Sequence, residues 1–226
     1  MRCRGTHVDG VDVFRGIPYA RPPVGELRFA APQPPEPWSE TRDATEPGPC
    51  CYVADTSGNP VYQYLGHSYP RQDEDCLNLN IWTPGADGRR RPVMVWIHGG
   101  AFVTGSGSLP MYDGESLCRN GDVVVVTINY RLGAFGFLRL GDTDGEGTAG
   151  TGNEGLLDQV AALEWVPDQG IGHLRRRRNE HHRVRGVRRG DQHQRDALHA
   201  GDDGTVPEGD PAERRAEPVG PARRSR

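Results

Sequence analysis

The residues best suited to chemistry are His98, Gly99, Gly100, Ala101 and Phe102, which close the apolar run at 92–97. Glycines at a strand end let the backbone turn sharply and leave N–H groups free to face a ligand. Two adjacent free amides can stabilise negative charge developing on a carbonyl oxygen. An ordinary strand-end turn would read the same way. Other candidates are weaker. His173, His181, His182, His193 and His199 crowd the last quarter of the chain, but no cysteine or carboxylate pattern around them has zinc-ligand spacing. No metal and no cofactor is therefore expected. The arginines at 175–178 and 183–189 could neutralise phosphates. No aromatic residue is interleaved there to stack on bases, so nonspecific attraction is the most they offer, and no specific nucleic-acid partner is expected.

The elements that must position the HGGAF turn can be read from pattern. PVMVWIHGG (92–100) and VVVVTINY (123–130) are apolar runs that suit buried strands. NLNIWTP (78–84) alternates Leu79 and Ile81 with Asn78 and Asn80, a strand pattern. VDVFRGIPYARPPVGELRFAAPQPPEPW (11–38) predicts a strand and then a wrapping loop, because residues before proline are pushed extended. Residues 39–72 read as loop. NEGLLDQVAALEWV (153–166) places Leu156, Leu157, Val160, Leu163 and Val166 at helical spacing, with Asn153 as N-cap and Pro167 as stop. Buried strands, glycine turns and a helix predict an α/β domain.

Composition divides the chain in two. It has 226 residues and a net charge of −4, and all 27 basic residues are arginine. All 16 aromatic residues precede Ile171. Residues 171–226 hold 14 arginines against 9 acids and only seven large apolar residues. Such a segment cannot bury enough surface to offset its ordering entropy. The expectation is a folded part, 1–170, and a disordered Arg-rich tail, 171–226. No run of 18 apolar residues is present, so no membrane span is expected. MRCRGTHVDG has no apolar core of a secretory signal, so a cytoplasmic location is expected.

Five blocks carry a resemblance. FRGIPYARPPVGELRF (14–29), EDCLNLNIWTP (74–84), VMVWIHGGAFVTGSGS (93–108), INYRLGAFGFL (128–138) and GNEGLLDQVAALEWV (152–166) resemble, in order, blocks of the type-B carboxylesterases. The resemblance implies a partial α/β-hydrolase fold, comprising the N-terminal strands of the central sheet and the first helix. It also implies hydrolysis of a small-molecule carboxylic ester through a Ser-Glu-His triad. The family's oxyanion donors fall on the backbone N–H groups of Gly100 and Ala101, with His98, Gly99 and Phe102 supporting the loop. Glu154 falls at a helix start, where support of the helix dipole is expected rather than catalysis. In secreted members a disulfide joins the signature cysteine, here Cys76, to one upstream, here Cys50 or Cys51. Without a secretory signal, free thiols are favoured. Cys118 reads as a buried apolar filler. The start also looks late, because the family has an edge strand or two before the position of Val11.

The nucleophile is missing. In this fold it sits in G-x-S-x-G on a strained strand-to-helix turn, and no such pentapeptide occurs in the chain. The sequence after the helix instead reads HLRRRRNEHHRVRGVRRGDQHQR. Codons for Arg, Gly, His and Val begin CG, GG, CA and GT. Read from the second base of each codon, the segment from Leu174 permits FGGD, one residue, and then TNITVFGESAG, with the serine codon straddling Val187 and Arg188. Residues 204–215 permit GLFRKAILQSG in the same frame. Both strings are family-like and lie at about the family's spacing. The expectation is that the chain leaves its ancestral frame between about Pro167 and His173. As it stands, the chain would then be an inactive esterase fragment without its triad. Two alternatives compete: a non-catalytic carboxylesterase-like interaction protein, and a basic-tail binding protein.

Overall fold

The computed structural model describes residues 2–54, 58, 60, 69–85, 87, 89–139, 152–168 and 182–183. β-Branched and apolar residues concentrate in β3 (Val11–Pro18), β5 (Asn78–Thr83), β6 (Val93–Ile97) and β7 (Val124–Ile128). With β2 (Thr6–Val8) they form one five-stranded sheet in the order β2-β3-β5-β7-β6. Within this sheet only the β6–β7 pair is parallel. Every residue of β5 and β7 is buried, which puts the middle of the sheet there. A second, small sheet joins β1 (Arg2–Arg4), β4 (Thr41–Asp43) and β8 (His182–Arg183).

Partners in register across a sheet share a face. One face carries the row Thr6, Val13, Trp82, Val125 and Met94. Val13, Trp82 and Val125 pack there with Val11 and with Cys118 of α1 (Glu115–Gly121). The other face carries Phe14, Ile81, Val126 and Val95. It packs against Trp165 and Val166 of α3 (Glu154–Asp168). The short α2 (Gly133–Phe137) lies against α3.

The strands at 78–84 and 123–130 and the helix at 153–166 fall where the sequence places them, and the α/β class holds. Four differences have physical causes. The run at 92–100 is not buried on both faces. Among the described residues β6 pairs only with β7, and Met94 and Trp96 are each 48% exposed. The apolar stripe of α3 is not its buried side: Leu156, Leu157, Val160 and Leu163 are exposed, while Glu154, Asp158, Ala162, Trp165 and Val166 are buried. The helix is turned this way by Arg131, a fully buried cation that needs Asp158 facing inward. Pro167 lies within the last turn of α3 rather than stopping it. Two strands, β1 and β2, precede Val11, and β2 forms a hairpin with β3 through Asp9 and Gly10, both at positive φ. Polar or single-turn elements, β1, β2, β4, α1 and α2, give no periodic signal long enough to read.

The chain divides into two units, Met1–Val187 and Arg188–Arg226. The second unit, and with it nearly all of the expected tail, lies outside the described residues. None of the described helices is long and apolar enough to cross a membrane.

Candidate active site

The turn after β6 is shaped from its first residue. His98 is 2% exposed, and its ring stacks on Tyr130 at 4.5 Å between centroids. Tyr130 follows β7, the parallel neighbour of β6, and its hydroxyl donates to the His98 carbonyl at 2.8 Å. His98 Nδ1 lies 2.9 Å from the Gly99 carbonyl. That oxygen can only accept, so Nδ1 carries the proton and Nε2 the lone pair. Burial holds the ring's pKa below its ordinary value of 6.5. His98 is thus a neutral wedge fixed between strand and loop.

After Gly99, three consecutive residues have positive φ: Gly100 at 123°, Ala101 at 52° and Phe102 at 63°. For residues with a Cβ this conformation costs on the order of 1–2 kcal/mol each. The turn is held by convergence on one acceptor. Val103 N–H, Thr104 N–H and the Thr104 hydroxyl all donate to the Gly100 carbonyl, at 3.0, 3.1 and 3.3 Å. From the far side, Gly133 N–H of α2 donates to the Phe102 carbonyl at 2.7 Å, and the Phe102 ring packs on Phe137 at 4.8 Å. The carbonyls of His98, Gly99, Gly100 and Phe102 accept hydrogen bonds, while the consecutive amides Gly100 N–H and Ala101 N–H, like Phe102 N–H after them, have no acceptor among the described residues. A side chain on Gly100 would overlap the Thr104 carbonyl, and one on Gly105 would overlap His98.

The loop beyond is pinned to the sheet by buried polar groups. Asn129 Oδ1 accepts from Ser106 Oγ and Gly107 N–H at 3.0 and 2.8 Å. Thr127 Oγ1 donates to the Gly107 carbonyl at 2.7 Å. Chemically, such a turn can hold a carbonyl oxygen that becomes negative, because its donors are fixed before the charge appears.

The structure brings His98, Gly99, Gly100, Ala101 and Phe102 into this one feature. Sequence reasoning missed Tyr130, Asn129 and Gly133, which hold it. The available signal was polar Asn129 and Tyr130 directly after an apolar strand. Glu154 stands at the start of α3, as expected, but it is buried beside Arg131 and Asp158 and acts electrostatically on both, which goes beyond helix-dipole support. Arg131 grips Asp158 through Nε and Nη2, both at 2.8 Å, and burial pushes the Asp158 carboxyl up.

All five cysteines are free and buried. Of the two upstream candidates, Cys51 is the neighbour of Cys76. The two thiols share a hydrogen bond, and Cys51 Sγ also accepts the Leu132 N–H at 3.2 Å. Those donors hold the Cys51 thiol below its ordinary value, while donation to Cys51 raises Cys76. Cys50 Sγ faces the Pro70 carbonyl instead, and burial pushes it up to about 11. Cys118 fills the α1 face of the core, as read from the sequence. Among the described residues no group of three or more His, Cys, Asp or Glu could hold a metal.

The model of the Carboxylesterase family matches residues 2–172. The chain is 50% identical over 165 residues to the para-nitrobenzyl esterase of Bacillus subtilis, covering 73% of this chain and 32% of that protein. It is 50% identical over 164 residues to the phenmedipham hydrolase of Pseudarthrobacter oxydans, covering 71% and 31%. The crystal structure of the Geobacillus stearothermophilus carboxylesterase at pH 6.2 superposes with a TM-score of 0.64 at 53% identity, over 73% of this chain and 32% of that one. The chain thus spans about a third of the length of the relatives it matches.

Proposed function

The chain belongs to the carboxylesterase family, and from that premise we propose that its folded part is the oxyanion-binding portion of a carboxylic-ester hydrolase whose nucleophile is encoded out of frame. The observation that carries this reading is the pair of uncommitted amides at Gly100 and Ala101, held in a left-handed turn that the surrounding residues enforce. In the frame-restored protein, the serine of the out-of-frame G-E-S-A-G attacks the ester carbonyl, and a histidine takes its proton and returns it to the leaving alcohol. Water then releases the acyl group by the same path. Gly100 and Ala101 N–H take the oxyanion at each tetrahedral stage, together with the amide that follows the serine. His98, Gly99 and Phe102 keep those two amides in place. His98 does not serve as the proton carrier, because it is buried, neutral and bonded to the backbone.

Two observations support a change of frame between codons 167 and 173. The family match stops at residue 172, inside that window. The tail's arginine and glycine codons permit two family-like strings in one shifted frame. On this reading the chain as written does not hydrolyse esters. The substrate is a small-molecule carboxylic ester, and five free thiols fit a reducing, cytoplasmic setting. Sequencing the gene across codons 160–226 tests the frame directly. The expected result is that adding or removing one or two bases in codons 167–173 opens a frame encoding G-E-S-A-G across codons 185–190. Nucleotides that cannot spell that string would end the proposal.

A further inference from the structure

The strand that leads into the 98–102 turn has an open side. β6 ends the five-stranded sheet, with β7 on one flank and no partner on the other among the described residues. The phase of its backbone follows from one bond: Val124 N–H of β7 donates to the Pro92 carbonyl at 2.9 Å. In a parallel ladder the N–H and C=O of one residue point to the same side, and successive residues alternate. Residues 92, 94 and 96 therefore serve β7, and Val93, Val95 and Ile97 turn their N–H and C=O groups to the open side. No residue from Val93 to Ile97 is charged. Met94 and Trp96 are half exposed on the α1 face, where the Trp96 ring lies 5.2 Å from that of Tyr112. Ile97, on the opposite face, is 37% exposed. An apolar edge with its backbone groups unpaired is a template for another strand.

Register decides which strand fits. Two β6 strands related by a two-fold axis at Val95 run antiparallel. Val95 then stands opposite Val95 of the other copy, Val93 opposite its Ile97, and Met94 opposite its Trp96. Each pair joins residues of the same face, so apolar meets apolar on both sides of the sheet. Each pair also joins residues of the same backbone phase, so Val93, Val95 and Ile97 of one copy exchange hydrogen bonds with the same three residues of the other. A shift by one residue sets these three against residues already spent on β7 and exchanges the two faces. A shift by two leaves part of the ladder unpaired, so only the centre at Val95 engages all three. Met94 and Trp96 meet as a close, non-hydrogen-bonded pair, in which a thioether against an aromatic ring is favourable. Charge does not oppose the approach, because the nearest cation, Arg91, is already bonded to Asp87 and Asp122. We propose that the partner of β6 is a second copy of this chain, and that antiparallel β6 strands centred on Val95 join two five-stranded sheets into one continuous sheet. The proposal does not depend on ester hydrolysis.

The test is disulfide trapping in the 226-residue chain with copper phenanthroline as oxidant, read on non-reducing gels as dimer above that of the unaltered chain. Opposed residues of a non-hydrogen-bonded pair lie about 4.5 Å apart at Cα, within disulfide reach, whereas position 94 of one copy would stand roughly 7–8 Å from position 94 of the other. A mixture of Met94→Cys chains with Trp96→Cys chains should therefore form linked dimer at least about tenfold faster than either variant alone. A backbone variant tests the ladder separately. Val95→Pro removes an N–H that faces the open side, so the bonds to β7 are kept. It should leave the far-ultraviolet circular dichroism unchanged and weaken the dimer, measured by sedimentation velocity, at least about tenfold. Equal trapping of one variant by itself, no trapping above the unaltered chain, or a Val95→Pro chain that dimerises as before would each overturn the proposal.

Discussion

The turn at residues 98–102 is held mainly through its carbonyls. The Gly100 carbonyl takes three donors, the Phe102 carbonyl takes one and the His98 carbonyl takes Tyr130, while the Gly100 and Ala101 amides have no acceptor among the described residues. Gly100→Ala should be severely disruptive, since it adds a Cβ against the Thr104 carbonyl at a φ of 123°. A loss of at least about 2 kcal/mol in chemical unfolding is expected. Tyr130→Phe keeps the stack on His98 and removes one hydrogen bond, so a loss of only about 1 kcal/mol is expected. His98 also sets a pH dependence. Its folded pKa lies below the ordinary value of 6.5, so below that pH the unfolded chain binds a proton that the folded chain refuses. Its contribution to stability is therefore complete above about pH 6.5 and is lost as the pH falls through the folded value. His98→Phe should flatten the decline in denaturation midpoint between pH 7 and pH 5. An unchanged slope would mean that the ring titrates freely.

At the scale of elements, pattern revealed what is periodic and hid what is polar. β5 and α3 were legible because their apolar residues recur at strand or helix spacing, and β7 because it lies in a continuous apolar run. The HGGAF turn was legible as a candidate because glycines close an apolar run. The residues that brace it, Asn129, Tyr130 and Gly133, were not, because a hydrogen bond between distant loops leaves no local period. α3 shows the limit most sharply. Its stripe of Leu156, Leu157, Val160 and Leu163 predicts the buried side, but the pairing of Arg131 with Asp158 turns the helix the other way. Asp158→Asn leaves that cation buried without its counter-charge and should cost about 3–5 kcal/mol. Replacing both residues by leucine should cost less than the single change. A double variant weaker than Asp158→Asn in thermal unfolding would show that α3 is oriented by something other than this pair.

At the scale of the whole molecule, the described residues carry a sheet that ends in an apolar edge. β6 pairs on one side only, Met94 and Trp96 are half exposed on one face of the sheet, and on α3 the leucine stripe is bare. An unpaired, uncharged edge strand is a template for association. The 226-residue chain should elute in size exclusion as oligomers or aggregate. Met94→Lys with Trp96→Lys should move it toward the monomer, because charge on an edge opposes pairing. A sharp monomer peak for the unaltered chain would show that this edge is covered.

On the proposed reading, the 226-residue chain holds the amides for an oxyanion but not the serine that creates one, and that serine returns with the frame. Removing a catalytic nucleophile leaves at most a small residual activity, whereas losing one oxyanion donor costs on the order of 100- to 1000-fold. The direct measurement is covalent labelling by a fluorophosphonate probe, with turnover of a short-chain p-nitrophenyl ester, on the 226-residue chain and on the product of the frame-restored gene side by side. The expected result is no specific labelling and no turnover in the first, and stoichiometric labelling of the G-E-S-A-G serine with turnover in the second. Specific labelling with turnover in the 226-residue chain, or a folded frame-restored protein that takes no label, would contradict it.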